Sequence, residues 1–141
     1  MAENKAIVSN EDLIGAAAAA RMSAYAPYSK FTVGAALLTS SGKIFTGCDV
    51  ENISLSLTIC AERSAIAAAV AARAKDLITI AVVTESQKPA VPCGSCRQVM
   101  AEFNPAMKIV AATTNGESQE FELSELLPRP KQGILESERN V

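Results

Sequence analysis

Two hydrophobic rhythms alternate along this chain, and each switch between them marks an element. Ser9-Asn10-Glu11-Asp12 sets a capping side chain and two acids ahead of Leu13 and Ile14. That pattern predicts a helix running through Met22 to about Tyr25, with Pro27 as its stop. Phe31 to Thr39 reads as a strand, Ser40-Ser41-Gly42 as a turn, and Lys43 to Cys48 as the antiparallel return of a hairpin. Asp49 to Thr58 has no period and reads as a loop. Cys60 to Ala74 is dominated by alanine, with Ile66 and Val70 four apart, the pattern of a buried helix. Leu77 to Thr84 is a β-branched run of the kind found in interior strands. A loop from Glu85 to Pro92 leads to a helix from about Cys93 to Phe103, and Met107 to Thr113 is another strand. Asn115-Gly116 is a turn signal before a weaker strand near Glu120-Phe121. Ser124 to Leu127 makes at most one helical turn, and the polar, proline-containing residues 129–141 read as an irregular tail.

The order α-β-β-α-β-α-β-β implies an α/β fold: a mixed five-stranded sheet layered between helices. The chain has 141 residues, taken as one domain, with no internal repeat and no linker. Its 49% apolar and 20% charged residues are ordinary for a soluble globular protein. A formal charge of −2, no Lys/Arg cluster and no Trp argue against nucleic acid as a partner. No stretch nears the roughly 18 apolar residues of a membrane span. The run Ala16 to Ala20 is too short and lacks the layout of a signal peptide. Two of the four cysteines sit at Cys-x-x-Cys spacing and nothing indicates export, which favours a reducing, cytoplasmic compartment.

The candidate chemistry lies in two short segments, Cys60-Ala61-Glu62-Arg63 and Pro92-Cys93-Gly94-Ser95-Cys96, in a chain without histidine. Cys93 and Cys96 face the same way over a first helical turn, and Cys60 opens the other central helix. If the strands preceding these helices are neighbours, the two N-termini converge, and helix N-termini favour thiolates. Three thiolates leave a zinc ion one open position, as catalytic sites require. Glu62, two residues after the first cysteine, is the candidate proton shuttle beside that position. Thiolate ligands weaken zinc as a Lewis acid, so Arg63 and Arg97 are the candidates to draw charge from sulfur by hydrogen bonds. The bland alternatives are a closed structural site with Cys48 as fourth ligand, or a redox dithiol in which Cys60 would stand idle.

These residues resemble the small, homotetrameric, zinc-dependent cytidine deaminases, which carry Cys-Ala-Glu-Arg and Pro-Cys-x-x-Cys-Arg-Gln motifs. The resemblance extends through Tyr25-Ala26-Pro27-Tyr28-Ser29-Lys30-Phe31, Val33-Gly34-Ala35-Ala36-Leu37, Gly47-Cys48, Val50-Glu51-Asn52 and Glu125-Leu126-Leu127-Pro128, roughly residues 10 to 128. It implies the α/β/α sandwich of that family and one Zn²⁺ per subunit on Cys60, Cys93 and Cys96. It implies that Glu62 passes a proton from water to ring N3 and then to the departing 4-amino group. Backbone at Ala61, with Phe31, Asp49 and Glu51, would bind the base and sugar of a cytosine nucleoside; Arg63 would bond the thiolates. The implied activity is hydrolysis of cytidine and deoxycytidine to uridine and deoxyuridine in pyrimidine salvage, by a cytoplasmic homotetramer.

The chain departs from that pattern at Asp49, where the family usually has Asn, at Leu55, where it often has Tyr, and near Lys131, where a tail Phe is common. Fewer aromatics weaken stacking on the base. Asp49 with Glu51 puts two acids beside the sugar, which repels a phosphate and suits a cationic substrate. A deaminase of a modified cytosine nucleoside, of blasticidin-S type, is therefore the alternative enzyme. A structural zinc module without catalysis is the alternative from another class, and Phe31 as core or Glu51 as a loop cap are the plain readings of those residues.

Overall fold

The computed structural model describes residues 7–131. The expected tail beyond Lys131 lies outside the described residues. Helix α1 (Asn10–Arg21) opens with a full capping box: Asp12 N–H donates to Ser9 Oγ at 3.0 Å and Ser9 N–H to Asp12 Oδ2 at 3.2 Å. Strands β1 (Gly34–Thr39) and β2 (Ile44–Cys48) form the expected hairpin. Helix α2 (Ala61–Ala71), strand β3 (Leu77–Thr84), helix α3 (Gly94–Phe103), strands β4 (Lys108–Thr113) and β5 (Ser118–Glu122), and the single turn α4 (Leu123–Leu126) complete the order.

The sheet runs β2-β1-β3-β4-β5, with β3 and β4 parallel and every other pair antiparallel. The parallel pair follows from the crossover through α3, since parallel neighbours need a long connection. Period-two alternation divides each inner strand between two cores. Ala35, Leu37, Ile80 and Ile109 pack under α2 and α3 with Ala65, Ile66, Ala69 and Met100. Ala36, Ala81, Val83, Val110 and Ala112 pack under α1 with Leu13 and Ala17. Both faces are covered, so the inner strands are continuously apolar.

Two glycines let the helices lie close. A Cβ on Gly34 would stand 2.0 Å from the Ala17 carbonyl oxygen of α1. On Gly47 it would stand 2.4 Å from Ala65 N and 2.6 Å from Ala61 O of α2. The second close approach seats the first turn of α2 at the edge of the sheet where β2 ends.

Several element ends differ from the sequence expectation for local reasons. Helix α1 stops at Arg21, four residues before Tyr25, because Tyr25 leaves it to pair with the chain after β2. Tyr25 N donates to Asp49 O at 2.9 Å and Glu51 N to Tyr25 O at 2.8 Å. Strand β1 begins at Gly34 and not at Phe31, since the Val33 amide donates to the Asp49 side chain at 2.9 Å. Helix α2 ends at Ala71 and not Ala74. Arg73 adopts the left-handed conformation (φ 61), Ala74 N bonds Ala69 O at 2.9 Å, and Arg73 N bonds Val70 O at 2.9 Å, a Schellman termination. The loop from Asp49 carries a 3₁₀ turn at Leu55–Leu57 and bridges Val50 to Ile59. The strands preceding α2 and α3 are not neighbours, because β1 lies between β2 and β3. The helix N-termini converge all the same, since β2 and β3 both run antiparallel to β1 and so end at the same edge.

Candidate functional site

Cys60 is the N-cap of α2 and Cys93 the N-cap of α3, and neither side chain caps its own helix. Cys96 lies one turn into α3 and is fully buried. Among the described residues, these three form the group able to hold one ion, with sulfur atoms all within 4.8 Å of one another. Tetrahedral zinc with sulfur at about 2.3 Å sets its ligand sulfurs about 3.8 Å apart, so the triad needs little movement to close on it. Cys48, at the end of β2, is outside that group.

The electrostatics fit a cation. A hydrogen bond with Cys96 and then the Arg63 guanidinium hold the Cys60 thiol down at about 5, against the cost of burial. The same contact with Cys60, followed by burial, pushes the Cys96 thiol above the ordinary range. Arg63 Nη2 donates to Cys60 Sγ at 3.4 Å and to Thr58 O at 3.3 Å, while its buried Nε has no partner. The donor set, three sulfurs within 4.8 Å of one another with a guanidinium bonded to one of them, fits zinc.

Glu62 is on the first turn of α2, 5% exposed, and forms no ion pair among the described residues. Burial, with the Cys60 charge adding to it against its own amide, pushes its carboxyl up to about 7. A carboxyl poised there can both accept and donate a proton at neutral pH. Ala61, beside it, is fully buried.

The remaining predicted residues divide. Asp49 is buried at the end of β2, where its Oδ1 accepts from Val33 N at 2.9 Å; burial first, then Glu51 and Cys60, raise its carboxyl. Phe31 is 43% exposed, and its amide bonds Ser29 Oγ at 3.0 Å. Glu51 spends its carboxylate on the turn before Phe31. It accepts from Tyr28 N at 2.9 Å, from Ser29 N at 3.2 Å and from the Ser29 hydroxyl, and that hydroxyl is the chief reason its carboxyl lies below the usual value. Those are the contacts of a loop cap. Arg97 does not reach sulfur as the sequence reading expected. Its Nε donates to Pro92 O at 2.8 Å and its Nη1 to Leu126 O at 3.3 Å, because the turn of α4 packs beside α3 and offers a free carbonyl.

Leu55 is exposed, and Lys131 Nζ meets Glu102 O at 3.4 Å. Sequence reasoning missed Thr58, whose carbonyl orients Arg63, and Gly47, which seats α2. A glycine inside a strand was the available signal for the second.

Residues 8–113 match the family described as the cytidine and deoxycytidylate deaminase zinc-binding region. The chain is 49% identical over 117 residues to the cytidine deaminase of Halalkalibacterium halodurans, covering 82% of this chain and 89% of that one. It resembles the crystal structure of cytidine deaminase from Burkholderia pseudomallei at 48% identity and a TM-score of 0.83, covering 86% and 98% of the two chains. The cytidine deaminase structure from Mycobacterium leprae is similar at 41% identity and a TM-score of 0.73, with 86% and 99% covered.

Proposed function

We propose that this chain, which belongs to the cytidine and deoxycytidylate deaminase family, deaminates free cytidine and deoxycytidine by hydrolysis, giving uridine or deoxyuridine and ammonia. The observation that carries the reading is a buried Glu62 on the helix turn that follows Cys60, beside three sulfurs within 4.8 Å of one another. Cys60, Cys93 and Cys96 would hold zinc, which when bound supplies a Lewis acid that acidifies a water for attack on C4. Glu62 takes the proton of the attacking water, hands it to ring N3, and later delivers a proton to the leaving amino group. Its position near neutrality serves both directions of transfer. Arg63 draws charge from Cys60. The Ala61 backbone in the first turn of α2, with Phe31 and Asp49, holds the pyrimidine and sugar, and Glu51 fixes the turn that carries Phe31.

The same reading takes residues 1–141 as one domain that works as a cytoplasmic homotetramer in pyrimidine salvage. Support for assembly comes from the loop after β2, which bears Ile53, Leu55 and Leu57, 81%, 73% and 63% exposed. Apolar side chains grouped on one loop beside a site invite a covering subunit. Free cysteines suit a reducing compartment. No helix among the described residues is long and apolar enough to cross a membrane.

Asp49 favours a second reading, an enzyme for a modified, cationic cytosine nucleoside, because a buried acid replaces the amide usual at that position. One experiment separates these. Ammonia release is measured from cytidine, deoxycytidine, cytosine, CMP and blasticidin S, with Glu62→Gln alongside. Turnover of the free nucleosides that the variant loses supports the first reading, and turnover confined to the cationic compound supports the second. A protein that binds zinc yet turns over none of them, and is indifferent to Glu62→Gln, is a structural zinc module.

A further inference from the structure

At the opposite end of the sheet from the cysteines, a cavity of about 540 Å³ opens between the β1–β2 turn and the segment joining α2 to β3. Lys43 from the hairpin lines it together with Arg73 and Lys75 from the segment after α2, all three exposed to solvent. Among the described residues none of these three cations forms an ion pair. Ser40 Oγ donates to Asp76 Oδ2 at 3.5 Å, Ser41 Oγ lies 3.0 Å from Thr39 Oγ1, Phe45 gives an apolar wall, and Asp76 is the one carboxylate in the lining. In a chain of formal charge −2, this cavity carries a local excess of two positive charges from its three cations and one acid.

The backbone holds this arrangement at a cost. Arg73 is the left-handed residue of the Schellman turn, φ 61, where glycine is the easy choice. Asp76 is also left-handed, φ 57, and its carbonyl accepts from Ser40 N at 2.9 Å, which ties the two cavity walls together. The cations at the end of α2 complement the helix dipole, but Lys43 belongs to another element and owes nothing to that dipole. Three cations from two segments supply what a dianionic group needs: a guanidinium for paired hydrogen bonds and ammonium groups for charge. The volume exceeds that of a simple anion and falls in the range of small-molecule sites.

We infer that this cavity, remote from the cysteine triad, is a binding site for a phosphate-bearing small molecule held by Lys43 of the hairpin turn with Arg73 and Lys75 of the segment after α2. The inference is independent of the reading of that triad.

The test is titration calorimetry on the zinc-loaded protein with inorganic phosphate, pyrophosphate, UMP and UTP at fixed ionic strength. The expected result is saturable binding of at least one probe, weakened about five- to tenfold by Lys43→Gln and by Arg73→Gln. Asp76→Asn should tighten it severalfold, a direction that a misfolded variant does not produce, and asparagine tolerates the left-handed backbone. Nucleotides binding tighter than inorganic phosphate would assign the site to a nucleotide; equal binding would assign it to free phosphate. No saturable binding, or binding indifferent to all three substitutions, overturns the inference.

Discussion

Cys60 and Cys93 occupy the same structural position on two different helices. Each is an N-cap in extended backbone, at φ −71, ψ 154 and φ −66, ψ 165, and neither side chain bonds its own helix. Capping residues usually turn their side chain back onto the first amides. Here both sulfurs are left free, and the two helices meet at one sheet edge with Cys96 between them. The helix ends supply favourable potential for thiolates, and sulfurs left free of the cap are available to a metal.

Replacing Glu62 by Gln keeps the volume and removes the exchangeable proton. Deamination should fall by about 10²- to 10⁴-fold, the range for a positioned acid–base group. Zinc content per chain should stay that of the parent, which metal analysis checks. Equal losses of both would assign Glu62 to folding rather than to proton transfer.

Removal of the metal should loosen the edge where α2 and α3 start. Chelation is expected to lower Tm by about 5 °C or more, reversed by added zinc, since a ligand that binds only the folded state stabilises it by mass action. Cys93→Ala should give a protein of similarly low Tm that zinc no longer rescues.

Gly47→Ala tests the close approach under α2. The new Cβ would meet Ala65 N at 2.4 Å and Ala61 O at 2.6 Å, both backbone atoms. The helix must shift, at a cost of about 1–3 kcal/mol in denaturant unfolding. Because Ala61 lies beside Glu62, activity should fall further than stability alone accounts for. An unchanged unfolding midpoint would mean that the contact is not made in solution.

The Glu51 clamp on Tyr28 and Ser29 should show in the pH dependence of stability. Its carboxyl lies below the ordinary 4.5 in the folded state, chiefly through the Ser29 hydroxyl. Its contribution is therefore complete above 4.5 and is lost as the pH falls through the lower folded value. The Tm difference between the parent and Glu51→Gln should be full near about pH 6 and shrink below that ordinary value. A difference constant across this window would remove the carboxylate from the loop's stability.

Asp49→Asn keeps an oxygen to accept from Val33 N and exchanges a buried acid for an amide. Activity on cytidine and deoxycytidine should rise relative to cationic cytosine nucleosides. If the ranking does not move, the acid plays no part in choosing the substrate.

Local spacing made the candidate metal and proton-transfer residues legible without a structure. Cys93 and Cys96 share a helix face, and Cys60 with Glu62 shares a first turn, whatever surrounds them. The same holds for the elements: β3 reproduces its sequence range, and the start of α1 at Ser9-Asn10 was legible. What depended on distant backbone was not legible. Whether Arg97 reaches sulfur turns on Leu126 offering it a carbonyl. Whether Glu51 is free turns on the amides of Tyr28 and Ser29 lying within its reach.

By itself, then, the sequence determined the α/β elements, the spacing of the candidate zinc ligands and the acid beside them, because helix and strand periodicity act within a few residues. Only the tertiary structure decided that β1 separates the strands leading to the two helices, that Lys43 joins Arg73 and Lys75 at one cavity, and which long side chains turn to backbone. Those outcomes depend on which segments pack side by side. Packing is set by the shape and burial of the whole sheet, down to a glycine that lets a helix approach, and no local pattern encodes it.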